Sequence, residues 1–338
     1  MKARSLVGFL LGGALLACES TPTVIPARNL ERPSDMGMVC LALDSETQQL
    51  SGQPMSVCHP SDRPDPPIQE SSSSPRLRGT FGLVSNTTRG EMAVVDFDKG
   101  KLIDLDPVVF GFNMVPVGSM PESVAASPDG CWVASANRVS CDIGLVDPAR
   151  LLSPLFGSAT PSSGTGSPVQ RVRPRTASRP WLRLAPKEIV FLLPEREPGL
   201  CTADQTNLAV VSFPSCDLVA LIELPSGLIR DSVRITRDGT FPVGPEPACP
   251  TVDYCDDLEA PAAVEDAGAV EGDDGGVAEP TPAGTGLRVG ALALRPDMPR
   301  VYVGASAGDD FLSTVDIVGG MLAIPHRAGR IALEPGAR

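Results

Sequence analysis

Short apolar runs rich in β-branched residues recur along the chain, and each is bounded by Gly, Pro, Asn or Asp. Runs of this length and composition between turn-forming residues predict β-strands. After residue 18, no stretch shows the 3.6-residue period of an amphipathic helix. The predicted strands are residues 81–86, 92–96, 102–105, 131–137, 143–147, 186–191, 208–211, 218–224, 291–297, 300–304 and 313–317.

These strands fall into groups that repeat along the chain. The group recurs at a period of roughly 45 residues once insertions are discounted, which indicates an array of small sheets. Several strands are apolar at consecutive positions, as in residues 94–95 and 145–146. Such strands are expected where both faces of a sheet are buried. The pattern therefore predicts an all-β protein built from packed sheets.

Residues 117–147 carry the most specific pattern. A glycine is followed by two residues and a proline, then by a strand, Ser127-Pro128-Asp129-Gly130, a strand ending in Asn137 and a strand ending in Asp147. This order resembles a repeat of the YVTN-type β-propeller family. The resemblance implies a β-propeller, and the residues that remain after the signal and the linkers suffice for about four to five blades. Whether its ring is complete stays open.

Other parts of the chain resemble the same repeat less closely. Residues 291–317 are similar, with Arg295-Pro296-Asp297 in place of Ser-Pro-Asp-Gly, residues 79–106 match its second half, and residues 186–224 depart most. In the Ser127-Pro128-Asp129-Gly130 turn, the proline presets the backbone, the aspartate can accept from it, and the glycine can take a positive φ. A loop at residues 135–137 would then place Cys131 and Cys141 opposite each other.

The N-terminus has the order of a secretory signal. A basic start precedes an apolar run at residues 5–17, which ends in Leu15-Leu16-Ala17-Cys18. These last four residues resemble a bacterial lipobox, which implies cleavage before Cys18 and lipidation (palmitate among the acyl chains) of that cysteine. The alternatives are an ordinary signal peptide or a membrane-spanning helix, but a span needs about 20 apolar residues. We expect a lipoprotein on the bacterial cell envelope, at the outer membrane.

Composition divides the rest of the chain into foldable blocks and linkers. We predict a signal peptide at 1–17, a lipidated tether at 18–35, a small disulfide-linked segment at 36–59 with strands at 39–43 and 55–58, and a linker at 60–78. Residues 79–338 are predicted to hold the propeller repeats, with disordered inserts at 157–180 and 240–285. These inserts are rich in Pro, Gly and Ser or in acidic residues, and they lack the apolar residues that offset ordering entropy.

Nine cysteines leave eight after Cys18, and in an exported protein these are expected to form disulfides. They fall along the sequence as four close couples, which suggests sequential pairing, although eight cysteines allow 105 connectivities. A zinc site is the alternative, but the chain has no C-x-x-C and only two histidines. The predicted disulfide cysteines are Cys40, Cys58, Cys131, Cys141, Cys201, Cys216, Cys249 and Cys255.

The formal charge is −13, and residues 241–283 contain eleven acidic residues and no basic one. This balance disfavours nucleic acid as a binding partner, because binding to its backbone requires clustered Lys and Arg. Aromatic residues make up only 4% of the chain, which disfavours a stacking groove for sugars or bases. One further hypothesis is that the acidic insert pairs with the arginines of residues 171–183.

Candidate catalytic patterns are weak. Gly304-Ala305-Ser306-Ala307-Gly308 has the G-x-S-x-G spacing, and Asp316 and His326 follow it, but a nucleophile elbow needs a helix after the serine and here a strand is predicted. His59 is predicted to lie in a surface loop. The acidic run at 253–279 lacks the spacing of a calcium loop. We therefore predict no catalytic, cofactor-binding or metal-binding residue.

Three aspartates recur at strand ends, Asp96, Asp147 and Asp316, and are predicted to hold turns. The function that we predict is a β-propeller binding or scaffold module for a protein partner on the envelope. The alternative is a propeller-fold enzyme of the hydrolase, lactonase or oxidoreductase type, because fold alone does not separate these functions. The sequence does not predict an oligomeric state.

Overall fold

The computed structural model describes fifteen segments, and its elements are mainly strands that form four antiparallel sheets. Within them, no helix is long and apolar enough to cross a membrane. The described residues are 30–43, 49–58, 77–106, 111, 114–156, 167–192, 201, 206–236, 238–249, 253, 255, 289–295, 298–305, 311–323 and 330–332.

Sheet 1 has the order β2-β1-β3-β4-β5, and β6 also pairs with β4. Its strands are β1 (Pro33–Leu43), β2 (Leu50–Gln53), β3 (Leu77–Asn86), β4 (Glu91–Asp96), β5 (Lys101–Leu102) and β6 (Met114–Pro116).

Four predictions are corrected in this sheet. The segment 36–59 is not a separate block, because β1 pairs with β3 along its length. The predicted strand at 55–58 is a short helix, α1 (Met55–Cys58), and the partner of β1 is Leu50–Gln53 instead. The predicted tether overlaps β1 at Pro33, and the predicted linker 60–78 overlaps β3 at Leu77. The rest of that linker lies outside the described residues.

Sheet 2 has the order β10-β9-β8-β7. Its strands are β7 (Pro121–Ala126), β8 (Val133–Asn137), β9 (Asp142–Val146) and β10 (Val169–Val172), and helix α2 (Pro148–Leu152) follows β9. The prediction of a disordered insert at 157–180 is wrong for β10, which completes the outer edge of the sheet.

Sheet 3 has the order β11-β12-β13-β14-β15, and sheet 4 has the order β16-β17-β18-β19 with β20 also on β18. The predicted disordered insert at 240–285 overlaps β15 (Gly239–Pro242), so the prediction of disorder is wrong at the start of the insert. The strands are β11 (Glu188–Phe191), β12 (Asn207–Phe213), β13 (Leu218–Leu224), β14 (Leu228–Thr236), β15 (Gly239–Pro242), β16 (Val289–Leu294), β17 (Arg300–Ala305), β18 (Phe311–Val318), β19 (Met321–Ala323) and β20 (Arg330–Ala332).

Each sheet packs face to face on the next, and three apolar clusters fill the gaps. The cluster between sheets 1 and 2 includes Val39, Leu41, Leu83, Met92, Val94, Val124, Val133 and Val146. The cluster between sheets 2 and 3 includes Trp132, Ala134, Ile143, Leu145, Ile189, Phe191, Ala209 and Val211. The cluster between sheets 3 and 4 includes Val210, Val219, Leu221, Val233, Val289, Val301, Val303 and Val315.

Successive residues of one strand therefore face different neighbours: Ala209 and Val211 pack toward sheet 2, whereas Val210 packs toward sheet 4. This explains the apolar runs without alternation. The first strands of successive sheets lie side by side, since β1 contacts β7, β7 contacts β11 and β11 contacts β16. The fold is an all-β β-propeller, with four blades in the described part of the chain.

The turn at residues 127–130 has the predicted chemistry. Gly130 has a φ of 74°, and the Asp129 carboxylate accepts from the Ser127 hydroxyl (2.5 Å) and the Cys131 amide (3.0 Å). A Cβ at Gly130 would lie 2.5 Å from the carbonyl oxygen of Gln53, so glycine is also required by the approach of β2.

Candidate functional site

A cleft of about 840 Å³ lies where sheets 1 and 2 meet. Five segments form its wall: the residues before β1, the β3–β4 turn, the β6–β7 connection, the β8–β9 turn and the start of β10. Its volume is within the range of about 300–1,000 Å³ found for ligand pockets. Its most distinctive groups are three guanidinium groups, those of Arg32, Arg89 and Arg171.

Arg171 is anchored to a buried carboxylate. Its Nε donates to Oδ2 of Asp142 at 2.6 Å, and its terminal nitrogen pairs with the same oxygen. The Asp142 side chain is 1% exposed, whereas that of Arg171 is 36% exposed. Asn137 Nδ2 (2.9 Å) and the Ser140 hydroxyl (2.8 Å) donate to Oδ1 of Asp142. The buried negative charge is therefore fully paired and hydrogen-bonded, as burial requires.

Asn137 extends this network to the cleft wall. Its Nδ2 also donates to the carbonyl oxygen of Val117 (2.9 Å), and its Oδ1 accepts from the Ser135 hydroxyl (2.9 Å). Gly118 approaches so closely that a Cβ there would lie 2.3 Å from Asn137 Nδ2, and its φ is 142°. Only glycine fits this position without displacing the network. The network therefore fixes the β6–β7 connection.

Arg89 forms a solvent-exposed ion pair with Glu31. The distance from its terminal nitrogen to Oε1 is 2.6 Å, and both side chains are more than 40% exposed. The hydrogen bond from Arg89 lowers the pKa of the Glu31 carboxyl, and the same bond raises the pKa of Arg89. Exposed pairs of this kind contribute little to stability, so Arg89 can exchange partners.

Arg32 is exposed, and its guanidinium forms no hydrogen bond or ion pair with another described residue, whereas its carbonyl oxygen accepts from the Thr87 amide (3.4 Å). Its φ is 58°, in the left-handed region that non-glycine residues rarely adopt. Met120, in the cleft wall, has a φ of 59°, and Cys141, next to that wall, has a φ of 51°. Strained backbone of this kind clusters at functional sites.

Hydrogen bonds hold the start of β1 and the β3–β4 turn against sheet 2. The carbonyl oxygen of Pro121 accepts from the Thr87 hydroxyl (2.9 Å) and the Ser34 hydroxyl (3.1 Å). The amide of Val124 donates to Asp35 Oδ2 at 2.7 Å. These bonds cross from sheet 1 to sheet 2, so the two halves of the cleft are held in one position.

The eight predicted cysteines form four disulfides, but sequential pairing is right only for Cys40–Cys58. The other three bonds connect residues that are far apart in the sequence. They are Cys131–Cys201, Cys141–Cys255 and Cys216–Cys249, with Cα–Cα distances of 5.4, 5.5 and 5.5 Å.

Cys131 and Cys141 are not paired as predicted, because the turn between their strands lies at residues 138–141 and not at 135–137. Residues 135–137 belong to β8, and Asn137 pairs directly with Asp142. Cys131 therefore precedes β8 at one end of the sheet, and Cys141 follows the turn at the other end. Cys131 joins the β11–β12 connection of sheet 3 instead, and Cys141 joins the segment after β15.

Two of these disulfides attach the segment after β15 to sheets 2 and 3: Cys255 is bonded to Cys141 and Cys249 to Cys216. The Glu246 carboxylate accepts from the Ser178 hydroxyl (2.6 Å) and amide (3.0 Å), and these and other hydrogen bonds lower its pKa. Asp253 Oδ2 accepts from the Ala185 amide (2.7 Å) and the Ser215 hydroxyl (2.5 Å). Glu246 thus contacts residues 171–183 through a serine and not through an ion pair with an arginine, and the predicted pairing of the acidic run stays a hypothesis because residues 256–279 lie outside the described part of the chain.

The arginines of that segment have other partners. Arg173 and Arg183 lie over the ring of Trp181, with guanidinium carbons 4.4 and 4.8 Å from its centroid. Such cation–π contacts hold a tryptophan in place. This part of the predicted insert is therefore packed structure.

A second set of polar residues, centred on Glu188, lies on the first strands of sheets 1, 2 and 3. Burial raises the pKa of Glu188 on β11, and the charges of Asp35 on β1 and Glu122 on β7 raise it further. A hydrogen bond with Ser123 and the charge of Lys187 act in the opposite direction. Among the described residues, no group of three or more His, Cys, Asp and Glu side chains could hold a metal ion.

The remaining predicted residues have local roles or lie outside the described part of the chain. Asp96 accepts from the Lys99 amide (3.1 Å), and Asp147 caps α2 by accepting from the Arg150 amide (2.9 Å), so both hold turns as predicted. Asp316 instead pairs with Arg300 across β17 and β18. Cys18, His59, Ser306 and His326 lie outside the described residues.

The G-x-S-x-G pattern begins in β17, and the next described element after it is strand β18. The next element in the described part of the chain is therefore a strand and not the helix that a nucleophile elbow requires. The cleft arginines themselves were missed by sequence reasoning. They come from three separate segments, so no spacing signal links them.

No protein-family model matches the chain, and no curated protein sequence matches it. Among solved structures, it is similar to Kuenenia stuttgartiensis hydrazine synthase, at 15% identity over 75% of this chain and 46% of that one, with a TM-score of 0.38. It is also similar to the Swd1 β-propeller domain of Myceliophteria thermophila, at 10% identity over 71% and 49%, with a TM-score of 0.35. The dihydro-heme d1 dehydrogenase NirN matches at 12% identity over 88% and 64%, with a TM-score of 0.27. The chain spans about half the length of the first two, and these similarities carry no assignment of activity, ligand or partner.

Proposed function

We propose that this protein is a binding module of the bacterial cell envelope, held there through a lipid on Cys18, and that a protein partner docks in the cleft between sheets 1 and 2. The observation that carries this proposal is the cleft itself. Its wall is fixed by the Asp142 network, yet two of its arginines, Arg32 and Arg89, are open to solvent. A fixed wall with exposed donors loses little entropy on binding.

The chemistry of the cleft favours binding over catalysis. Arginine stays protonated in proteins and cannot accept a proton, so it recognises acceptor groups but does not act as a general base. The one buried carboxylate of the network, Asp142, is already occupied by Arg171, Asn137 and Ser140. The proposed module therefore offers donors to its partner and keeps its own carboxylate internal.

Site-specific photo-crosslinking in living cells tests the docking site. A benzophenone amino acid is placed at Thr88, an exposed residue of the cleft, and as a control at Lys101, an exposed residue at the other end of β4. We expect a discrete crosslinked protein from position 88 that is missing from position 101. Equal labelling from both positions, or none from position 88, contradicts the proposal.

The lipid anchor has its own test. Mass spectrometry of the purified protein is expected to show a mature N-terminus at Cys18 with acyl chains attached, and Cys18→Ser is expected to move the protein from the membrane fraction to the soluble fraction. More than one acyl chain is required for stable anchoring. An uncleaved chain with an unmodified Cys18 thiol contradicts the anchor.

One observation favours a second candidate function, an envelope enzyme of the hydrolase, lactonase or oxidoreductase type. The raised pKa of Glu188, beside Asp35 and Glu122, is the kind of perturbation found at catalytic carboxyls. A substrate screen that finds turnover in the wild type, lost in Glu188→Gln while photo-crosslinking at position 88 is retained, would favour this function.

A further inference from the structure

We propose that the cleft between sheets 1 and 2 binds the carboxylate side chains of an acidic peptide segment, with Arg32 and Arg89 as the binding residues. This inference rests on the proposed function and adds the chemical class of the partner. The arginines of the cleft indicate an acidic ligand. The chain has a net charge of −13, yet three arginines line this one cleft.

The form of the cleft favours a peptide over a small free anion. Guanidinium groups bind carboxylates through two parallel hydrogen bonds, and they bind phosphate equally well. Here, however, the arginines share the wall with apolar side chains from three segments, Val115, Val139 and Val169. A free anion leaves these side chains uncovered, whereas a peptide covers them with its own aliphatic atoms.

The three arginines have different roles in this arrangement. Arg171 is committed to Asp142 and supports the wall. Arg89 has only the exposed pair with Glu31, which an incoming carboxylate can replace at little cost. The guanidinium of Arg32 has no partner among the described residues, so a ligand carboxylate would be its first one. Two arginines are therefore available for a ligand.

The occupant is an acidic segment of another protein, because the proposed function is the binding of an external partner, and an acidic segment of this chain is the alternative that the test must separate. Residues 256–279, which lie outside the described residues, contain nine acidic residues and no basic one. They follow Cys255, which is joined to Cys141 with a Cα–Cα distance of 5.5 Å, and Cys141 is two residues from Val139 of the cleft wall. The described residue before this segment, Cys255, is joined close to the cleft wall, so the test includes the segment as a competitor.

The test is a binding titration with a fluorescein-labelled peptide of eight glutamates, followed by fluorescence anisotropy on the full chain in detergent. We expect saturable binding that weakens as salt is raised, because the contact is electrostatic. The double variant Arg32→Ala/Arg89→Ala is expected to bind at least tenfold more weakly. The matched control is Arg78→Ala, at the opposite end of β3 from Thr87. Its affinity is expected to equal that of the wild type.

A further variant, in which the nine acidic residues of 256–279 are replaced by their amides, tests whether this segment competes with the labelled peptide. We expect unchanged affinity for the labelled peptide, and an affinity that is at least fivefold higher would identify residues 256–279, and not another protein, as the occupant. Circular dichroism and thermal melting check that all variants fold.

Three further results overturn the inference. They are equal binding by the wild type and the arginine double variant, equal binding of a labelled peptide of eight glutamines, and no binding of the glutamate peptide to either the wild-type or the amide-substituted chain. If position 88 still crosslinks to a partner in the arginine double variant, the binding function stands and only the acidic chemistry is wrong.

Discussion

Arg171 on β10 donates from Nε to the buried carboxylate of Asp142 on β9, with 2.6 Å between the two atoms. The two strands are neighbours in sheet 2, but β10 lies in a segment whose sequence has the composition of a linker. The ion pair therefore fixes the last strand of this blade and, through Asn137, the wall of the cleft.

Loss of Arg171 is expected to destabilise the protein strongly. Arg171→Ala leaves the 1%-exposed Asp142 without its counter-charge, and removal of one partner of a buried pair costs about 3 kcal/mol or more. The control is Arg138→Ala, whose pair with Glu122 is more exposed and is worth about 1 kcal/mol or less. Urea denaturation measures both, and equal losses in the two variants contradict the structural role given to Asp142.

Gly118→Ala is expected to destabilise the cleft wall by about 3 kcal/mol, because it combines a φ of 142° with a Cβ that meets Asn137. Gly100 provides the matched control, since its φ is 59° and nothing lies within 4 Å of its Cβ. Gly100→Ala is expected to cost about 1–2 kcal/mol, from the left-handed backbone alone. Thermal melting compares the two, and a smaller loss for Gly118→Ala contradicts the close contact.

The disulfide pattern gives a prediction that needs no ligand. Peptide mapping under non-reducing conditions is expected to find Cys131 linked to Cys201, Cys141 to Cys255 and Cys216 to Cys249. Replacing Cys131 and Cys201 by alanine opens a loop of 70 residues and is expected to cost about 4 kcal/mol. For Cys40 and Cys58, 18 residues apart, the expected cost is about 3 kcal/mol. A peptide that links Cys131 to Cys141 contradicts the structure.

Glu188 gives a pH-dependent prediction. Burial, together with the charges of Asp35 and Glu122, raises its pKa in the folded state, so the folded protein holds this proton more tightly than the unfolded chain. The carboxyl is neutral in both states at low pH, and it destabilises the fold as the pH rises through the raised pKa. Glu188→Gln is therefore expected to increase stability at pH 7 and to leave it unchanged below the unfolded pKa.

Denaturation of Glu188→Gln at pH 7 and pH 3.5 measures this difference. Asp238→Asn, at an exposed position, is the control and is expected to change stability at neither pH. A loss of stability in Glu188→Gln at pH 7 would show that the charge of Glu188 is stabilised by its surroundings.

Local patterns in the sequence predicted the turn at 127–130 and many of the strands, because short-range chemistry decides both, but they missed β2, β10, β14 and β15. They predicted the eight disulfide cysteines and the Cys40–Cys58 pair, but not the other three pairings. A turn displaced by a few residues, for example, places Cys141 at the far end of the sheet from Cys131. They also did not predict the cleft. The packing of sheets 1 and 2 brings Arg32, Arg89 and Arg171 to one cleft, and no local pattern in the sequence predicts that packing.

Quantitative capture of partners from the cell envelope tests the central claim most directly. Wild type, the Arg32→Ala/Arg89→Ala variant and the Arg78→Ala control are purified under identical conditions, and the proteins that accompany them are quantified by mass spectrometry. The account predicts one or more proteins with acidic segments that are recovered with the wild type and the control and reduced at least tenfold with the double variant. Equal recovery with all three would contradict a docking site between sheets 1 and 2.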